Sequence, residues 1–579
     1  MPDDQPKFHR LAFFALILLT LMLPFEPEMP WLALGPIVLT NVEILLAICL
    51  LGTALLWWQQ RFAWQRPFPR WWLVLIGWFI LVSFLSSVLT AEFRTVALKA
   101  SLRTTSGVLL ALALPQIVRS SRELLWTAIG LVSGGLLAAL LGLLEFVPGL
   151  SMEWLNFWRD SPTMAGPFLR LTGTFDFANQ AAMFIEATLP FLLVLIWLAY
   201  RNGRRPLAVG LLILTFIYLE AGFLTFSRAS FATIFLVTLA LAILLKRGTI
   251  SVYTHPHVPG EKQQVYLWAG TAGLVLILIP INLLFSPTFQ LRLSTEGDNE
   301  WYQAQVEVPP ELQVSINETI RIPVTLINEG ALTWENTGSN PVVLSVTWVQ
   351  PQTNLEWTNR LRWPLPRPLS PGEQLSMEIP VQTPPQEGVY RLKWDLVQDG
   401  ITWFGSKSEA PASSRVTVGD VTTAVPESAL QLVEPAFFNS PVPDRLTLWQ
   451  VAWQLLSRHP LLGIGLDNFR LLYGRELGQT GWNETIHSNS WYVETLVSLG
   501  LSGSLPFFGW LVLMALDIWR TLRESPVSIW QTAIAAGILA FFIHGLLDYF
   551  LLFNATALLF WILIGLWFSL KNIPKGSQL

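Results

Sequence analysis

The chain has 579 residues, of which 52% are hydrophobic and 13% charged, against the roughly 25% charge of soluble domains, and its formal net charge is -4. This balance excludes an ordinary soluble protein and offers no basic surface for nucleic acid, so a polytopic membrane protein with room for one soluble module is expected. The lone Cys49 lies in an apolar run and excludes an intrachain disulfide, so any exported domain must rest on its own core.

The first apolar run follows a short polar tail that contains His9, lacks a small-residue cleavage site, and is predicted to be a retained span. Runs of about 17 to 25 apolar residues, enough to cross ~30 Å of hydrocarbon, fall at 11–27, 37–58, 71–90, 103–118, 123–147, 177–200, 206–225, 229–246, 264–286, 488–517, 527–549 and 552–570. These predict about twelve transmembrane helices, with both termini on one side. The connections on that side carry Arg61, Arg66, Arg70, Arg119, Arg122, Arg201, Arg204, Arg205, Lys246, Arg247, Lys262, Arg520, Arg523, Lys571 and Lys575, which makes it cytoplasmic. The segment 91–102, with Arg94 and Lys99, falls outside on this count, together with 150–176, 226–228 and 287–487.

Within the last of these, about 300–420 changes character. QVSINETIRIPVTLINEG, VVLSVTWVQ, LSMEIPVQ and YRLKWDLV alternate apolar with polar residues between Pro, Gly and Asn turns. An inserted extracytoplasmic all-β sandwich of about seven strands is predicted. INEGALTW, with Trp348, Trp394 and Trp403, resembles Ig-like tryptophan-rich domains, which bind, space or shield. The chain therefore divides into a membrane domain at 1–290 with about nine helices, the β insert at 300–420, an extracytoplasmic loop at 440–487 with an amphipathic helix at 446–458, and a second membrane domain at 488–579 with about three helices.

Four outer-face residues stand at or near the ends of apolar segments: Arg170, Arg228, Arg445 and His487. A single arginine at a membrane edge can snorkel to headgroups. Several converging from separate segments instead suit an anion, because guanidinium forks match phosphate oxygens and stabilise charge on a departing diphosphate. His487, at the lip of an apolar helix with no obvious carboxylate cluster nearby, suits proton abstraction from an acceptor hydroxyl, or else caps the following helix. Asp298, Glu300 and Asp467 form no paired-carboxylate motif, so a metal-dependent route is disfavoured and no metal or cofactor is expected.

Other features compete less well. His255 and His257 read as a solvated loop pair, and His459 as a residue at the negative end of a helix dipole. His544 and Asp548, four apart, are expected on one face of the eleventh span, either lining a cavity or tying helices together. Gly463-Ile-Gly465 lacks the setting of a dinucleotide fingerprint and is predicted to be a turn.

RLTGTFDFANQAAMF at 170–184, SRAS at 227–230, R-x-x-x-W at 445–449, HPLLGIGLDNF at 459–469, IHSNSWYVETLVSLGLSG at 486–503 and HGLLDYFLLFNATALLFWILIGL at 544–566 together resemble the O-antigen ligase and Wzy-type polymerase superfamily of membrane glycosyltransferases. The resemblance implies a mainly α-helical, GT-C-like polytopic fold in the bacterial cytoplasmic membrane. It also implies metal-free, inverting transfer of a glycan from an undecaprenyl-diphosphate-linked donor to an acceptor at the outer face. By motif, Arg228 and Arg445 are implied to bind the diphosphate and stabilise the leaving group, and His487 to activate the acceptor. Arg170 and Asn179 match a further substrate-binding motif. The β insert departs from the family pattern by splitting the large outer loop, which leaves a lipid, a glycan or a protein as acceptor. Ligase, polymerase and protein oligosaccharyltransferase share this chemistry. A lipid or polysaccharide transporter is the reading from another class, but it should show repeat symmetry and charge through the depth of the bundle.

Overall fold

The computed structural model describes residues 6–573 except 35–36, 61–66, 148, 160–161, 166–167, 252–260, 286–300, 339–340, 351–354, 358–360, 400–401, 408–411, 420–429, 439–442, 478–481 and 524–526. Arg61, Arg66, His255, His257, Asp298, Glu300 and Lys575 lie outside the described residues.

The N-terminal half is helical: α1 (Lys7–Met22), α2 (Asn41–Gln59), α3 (Arg70–Leu89), α4 (Arg94–Ile117), α5 (Ser121–Leu144), α6 (Ala178–Arg201), α7 (Arg205–Leu224), α8 (Arg228–Ser251) and α9 (Glu261–Phe285). Two short hairpins interrupt it, β1 (Leu32–Leu34) with β2 (Ile37–Leu39), and β3 (Met164–Ala165) with β4 (Phe168–Leu169). Local sequence sets several of the helix starts. Thr40 with Glu43 and Ser120 with Glu123 form reciprocal capping boxes that satisfy orphan N–H groups.

The C-terminal part contributes α10 (Arg445–Arg458), α11 (Phe469–Glu476), α12 (Trp491–Arg523), α13 (Ile529–His544) and α14 (Asn554–Ser569). Among the described residues, nine helices are long and apolar enough to cross a membrane, namely α2 to α9 and α12. The runs at 11–27, 527–549 and 552–570 yield shorter apolar helices of 16 residues each. Helix α4 begins at Arg94, so most of 91–102 is helix and not connection. Ala97 and Ser101 face the interior there, while Arg94 and Lys99 point outward.

Helix α6 is the axis of the bundle, with buried residues around most of its circumference and neighbours on α5, α7 and α13. Peripheral helices instead expose Trp58, Leu73, Val74, Leu212, Ile213 and Ile277, the pattern of a chain whose outer solvent is hydrocarbon.

Residues 304–437 form the β-rich region, with β5 (Ala304–Glu307), β6 (Glu311–Val314), β7 (Thr319–Asn328), β8 (Val342–Gln350), β9 (Leu355–Trp357), β10 (Leu361–Pro364), β11 (Gln374–Gln382), β12 (Gly388–Gln398), β13 (Thr402–Trp403), β14 (Ser413–Val418) and β15 (Ala436–Phe437). One sheet runs β15-β10-β8-β12-β14-β6, with β13 on β12 and β9 on β8; the other is β11-β7-β5. Every pairing is antiparallel except β14 with β6. Ile322, Val324 and Leu326 of β7 share one apolar core with Leu344 of β8 and Leu392 and Trp394 of β12. Because β15 joins this sheet through Phe437 and Leu361, the β-rich region reaches past 420.

Helix α12 is broken at Gly500, where φ is 58° and ψ is -165°. The turn 460–465 docks on this break. Leu501 N–H donates to Pro460 (2.8 Å), Ser502 N–H to Leu461 (3.0 Å), Ile464 N–H to Val497 (3.0 Å) and Gly465 N–H to Ser498 (2.9 Å). A Cβ on Gly463 would stand 2.4 Å from the Ser498 carbonyl carbon, and one on Gly500 would stand 2.5 Å from Leu461 backbone, so both positions require glycine. The expected turn at Gly463 and Gly465 is thus the piece that fastens the loop between α10 and α11 to α12.

Candidate functional site

The segment before α6 is held by buried polar contacts. Arg159 pairs with Glu145 and Thr172, and Leu171 N–H donates to Leu224 O at 2.8 Å. Arg170 is itself tied in: its Nε donates to Thr225 O at 2.8 Å and its Nη2 to Asn179 Oδ1 at 2.7 Å. Asn179, in the first turn of α6, passes the chain on by donating from Nδ2 to Asp548. Arg228 opens α8 three residues after Thr225, and is half-buried. The Arg170 and Asn179 of one motif therefore touch each other, and the backbone turn 225–228 links them to Arg228.

His487 is 5% exposed and sits between two carboxylates. Its Nδ1 is 3.2 Å from Glu494 Oε1, and Glu494, 1% exposed in the first turn of α12, accepts Ser488 N–H on its other oxygen at 2.9 Å. On the opposite edge, His487 Nε2 is 3.8 Å from Asp467 Oδ1 and makes no hydrogen bond among the described residues. The Tyr549 ring lies 5.2 Å away, centroid to centroid. This corrects the expectation of no obvious carboxylate cluster near His487. Glu494 lies in the same motif, seven residues on, and that spacing was the signal available in the sequence.

Asp467 takes up a left-handed conformation, φ 63°, and receives the Arg470 guanidinium through Nε (2.7 Å) and Nη2 (3.1 Å). Burial works against the Arg470 charge, but the hydrogen bond and charge of Asp467 outweigh it and raise its pKa above the ordinary value.

Helix α10 is capped by Asp444, which accepts Thr447 N–H at 3.0 Å; this backbone bond holds the Asp444 carboxyl below its usual range. Its first residue, Arg445, is exposed and within electrostatic reach of His544. Trp449, one turn on, donates its indole N–H to Ser488 O at 2.9 Å and so fixes α10 against the His487 loop.

His544 and Asp548 do not share a helix face. Helix α13 ends at His544, whose Nδ1 lies 2.8 Å from Glu186 of α6, and Asp548 sits in the following turn and takes Asn179. The buried Glu186–His544 pair escaped sequence reading because its members are 358 residues apart. His459 stands at the C-cap of α10, as the dipole argument expects.

Comparison with known proteins adds one family. Residues 419–508 match the family model described as O-antigen ligase. No curated protein matches the chain. Two solved structures are similar in part. One is a CARDB domain from Pyrococcus furiosus in complex with di-metal ions, at 17% identity over 20% of this chain and 86% of that one, with a TM-score of 0.15. The other is the Pseudomonas fluorescens alkylpurine DNA glycosylase AlkC bound to DNA, at 12% identity over 72% and 100%, also with a TM-score of 0.15. The stretch holding Arg445, Asp467, His487 and Glu494 thus matches the O-antigen ligase family model, in a chain with several helices long and apolar enough to cross a membrane.

Proposed function

We propose that the protein transfers a glycan from an undecaprenyl-diphosphate-linked donor to an acceptor hydroxyl, with inversion and without a metal ion, at the outer face of a bacterial cytoplasmic membrane. The observation that carries this reading is the His487–Glu494 contact. With Nδ1–H donating to Glu494, the lone pair rests on Nε2, the ring nitrogen that has no other hydrogen bond among the described residues. Nε2 takes the acceptor proton as the acceptor oxygen bonds to the anomeric carbon. The bond from that carbon to the phosphate oxygen breaks, and the electron pair leaves with the diphosphate. Arg228 and Arg445 meet that charge, while Arg170 and Asn179 shape the wall beside it.

In this reading the bundle is GT-C-like, both termini are cytoplasmic, and the β-rich region is an Ig-like sandwich displayed outside. The test is transfer from purified undecaprenyl-diphosphate glycan in the presence of EDTA. Wild type should turn over, and His487→Ala, Arg228→Ala and Arg445→Ala should each lose turnover, with donor binding weakened mainly in the arginine variants. Full activity in His487→Ala would refute the proposed base. Supplying lipid, glycan and protein acceptors in parallel separates ligase, polymerase and protein transferase.

A further inference from the structure

A cavity of about 850 Å³ lies between the ends of α1, α2, α6 and α14 and the 482–485 stretch of the outer loop, and it reaches Asp467 beside His487 Nε2. Its lining is acidic: Glu26, Glu28, Asp176, Asp467 and Glu484. Both guanidinium groups of that lining already face carboxylates. Arg470 is held by Asp467, and Arg103 Nε lies 3.4 Å from Glu43. Arg170, Arg228 and Arg445 do not line it. A phosphate or carboxylate entering here would meet like charge with no guanidinium left over among the described lining residues.

Three further features suit a sugar. Trp158 and Trp482 contribute indole surface, which packs against the apolar face of a pyranose. Gln180, 4% exposed, lines the cavity with an Oε1 that has no hydrogen-bond partner among the described residues, an acceptor suited to a hydroxyl. Carboxylates accept hydroxyl hydrogens as readily as they repel anions.

We infer that this cavity is the acceptor subsite, and that it takes the hydroxyl-bearing end of an uncharged glycan while rejecting one that carries phosphate there. The inference rests on the transfer reading above and narrows its acceptor.

The experiment uses the full chain in nanodiscs and two probes: an alkyl-linked tetrasaccharide of neutral hexoses, and the same compound with a phosphate monoester on its terminal sugar. Equilibrium binding at low salt should favour the neutral probe by about tenfold or more, and added salt should shrink the gap. Glu28→Gln combined with Glu484→Gln should bring the two probes within about threefold of each other. Equal binding in the wild type, binding of neither probe, or an unchanged gap in the double variant would overturn the inference. The same preparations are then given donor. Turnover with equal use of both probes refutes the acceptor preference and leaves the transfer reading standing. Selective binding of the neutral probe without transfer refutes the transfer reading and leaves a neutral-glycan cavity.

Discussion

His487 and Glu494 stand 3.2 Å apart, imidazole Nδ1 to carboxylate oxygen, with both side chains buried. In the proposed transfer the carboxylate fixes the ring and its tautomer, the same division of labour by which an acid residue orients a histidine base in hydrolases. Glu494→Gln keeps the shape and loses the negative charge. It should lower transfer turnover by about 10²–10⁴-fold with a small change in donor KM. Steady-state kinetics on protein that retains its wild-type unfolding temperature checks this.

The relay from Arg170 through Asn179 to Asp548 predicts a different split. Asp548→Ala leaves the half-buried Asn179 amide without its acceptor and loosens the wall beside the arginines. Donor KM should rise by about tenfold, the worth of roughly one buried hydrogen bond, with kcat less affected. An effect on kcat alone would contradict the assignment.

Gly500→Ala should destabilise the whole site. The added Cβ would stand 2.5 Å from Leu461 backbone at a φ of 58°. A cost of about 2 kcal/mol or more is expected from strain and lost docking. Thermal unfolding in detergent reads the loss, and the 463–465 amides should exchange with solvent faster.

Two contacts between the 91–93 connection and the 468–475 segment should differ in worth. Arg475 and Glu92 pair at 2.7 and 2.8 Å, but each is about half exposed, so Glu92→Gln should change stability by less than about 0.5 kcal/mol. Asn468 is fully buried and accepts Phe93 N–H at 2.9 Å. Asn468→Ala strands that N–H and should cost about 1–3 kcal/mol. Thermal unfolding of both variants compares them directly.

The β-rich region carries a pH dependence. Burial pushes the Asp395 carboxyl up to about 6, against the counteracting hydrogen bond from Gly405 N–H. Between the ordinary value of 3.8 and about 6, the folded state holds a proton that the unfolded state releases, so stability falls as pH rises through that window and levels off above it. Asp395→Asn retains the oxygen that accepts Gly405 N–H. It should stabilise this region at pH 7.5 by about 1–3 kcal/mol and be neutral near pH 4. Hydrogen exchange of the β12 amides in the full chain measures it.

Much of the architecture was legible because hydrophobic period is a local property. The apolar runs became helices, and the alternation in TIRIPVTLIN became β7, whose inward residues alternate as read. Helix α4 began earlier than its apolar run because charged residues on one face do not end a helix when no proline or glycine intervenes. At the site, the motifs gave His487, Arg170 and Asn179 their places, but not their partners. Asp467, Asp548 and Glu186 reach their contacts across 20, 369 and 358 residues of sequence, a separation that periodicity does not encode. Glu494 was within reach of reading, as the carboxylate of the first helical turn after His487.

The docking of 460–465 on the broken helix α12, with Trp449 bonded to Ser488, ties the loop of the proposed base to the bundle. Among the described residues, the contacts that aim His487 come from downstream of Arg445: Asp467, Glu494 and Tyr549. The β-rich region between α9 and α10 is therefore a module whose length and surface can drift, or be exchanged for another, while the geometry around His487 stays fixed.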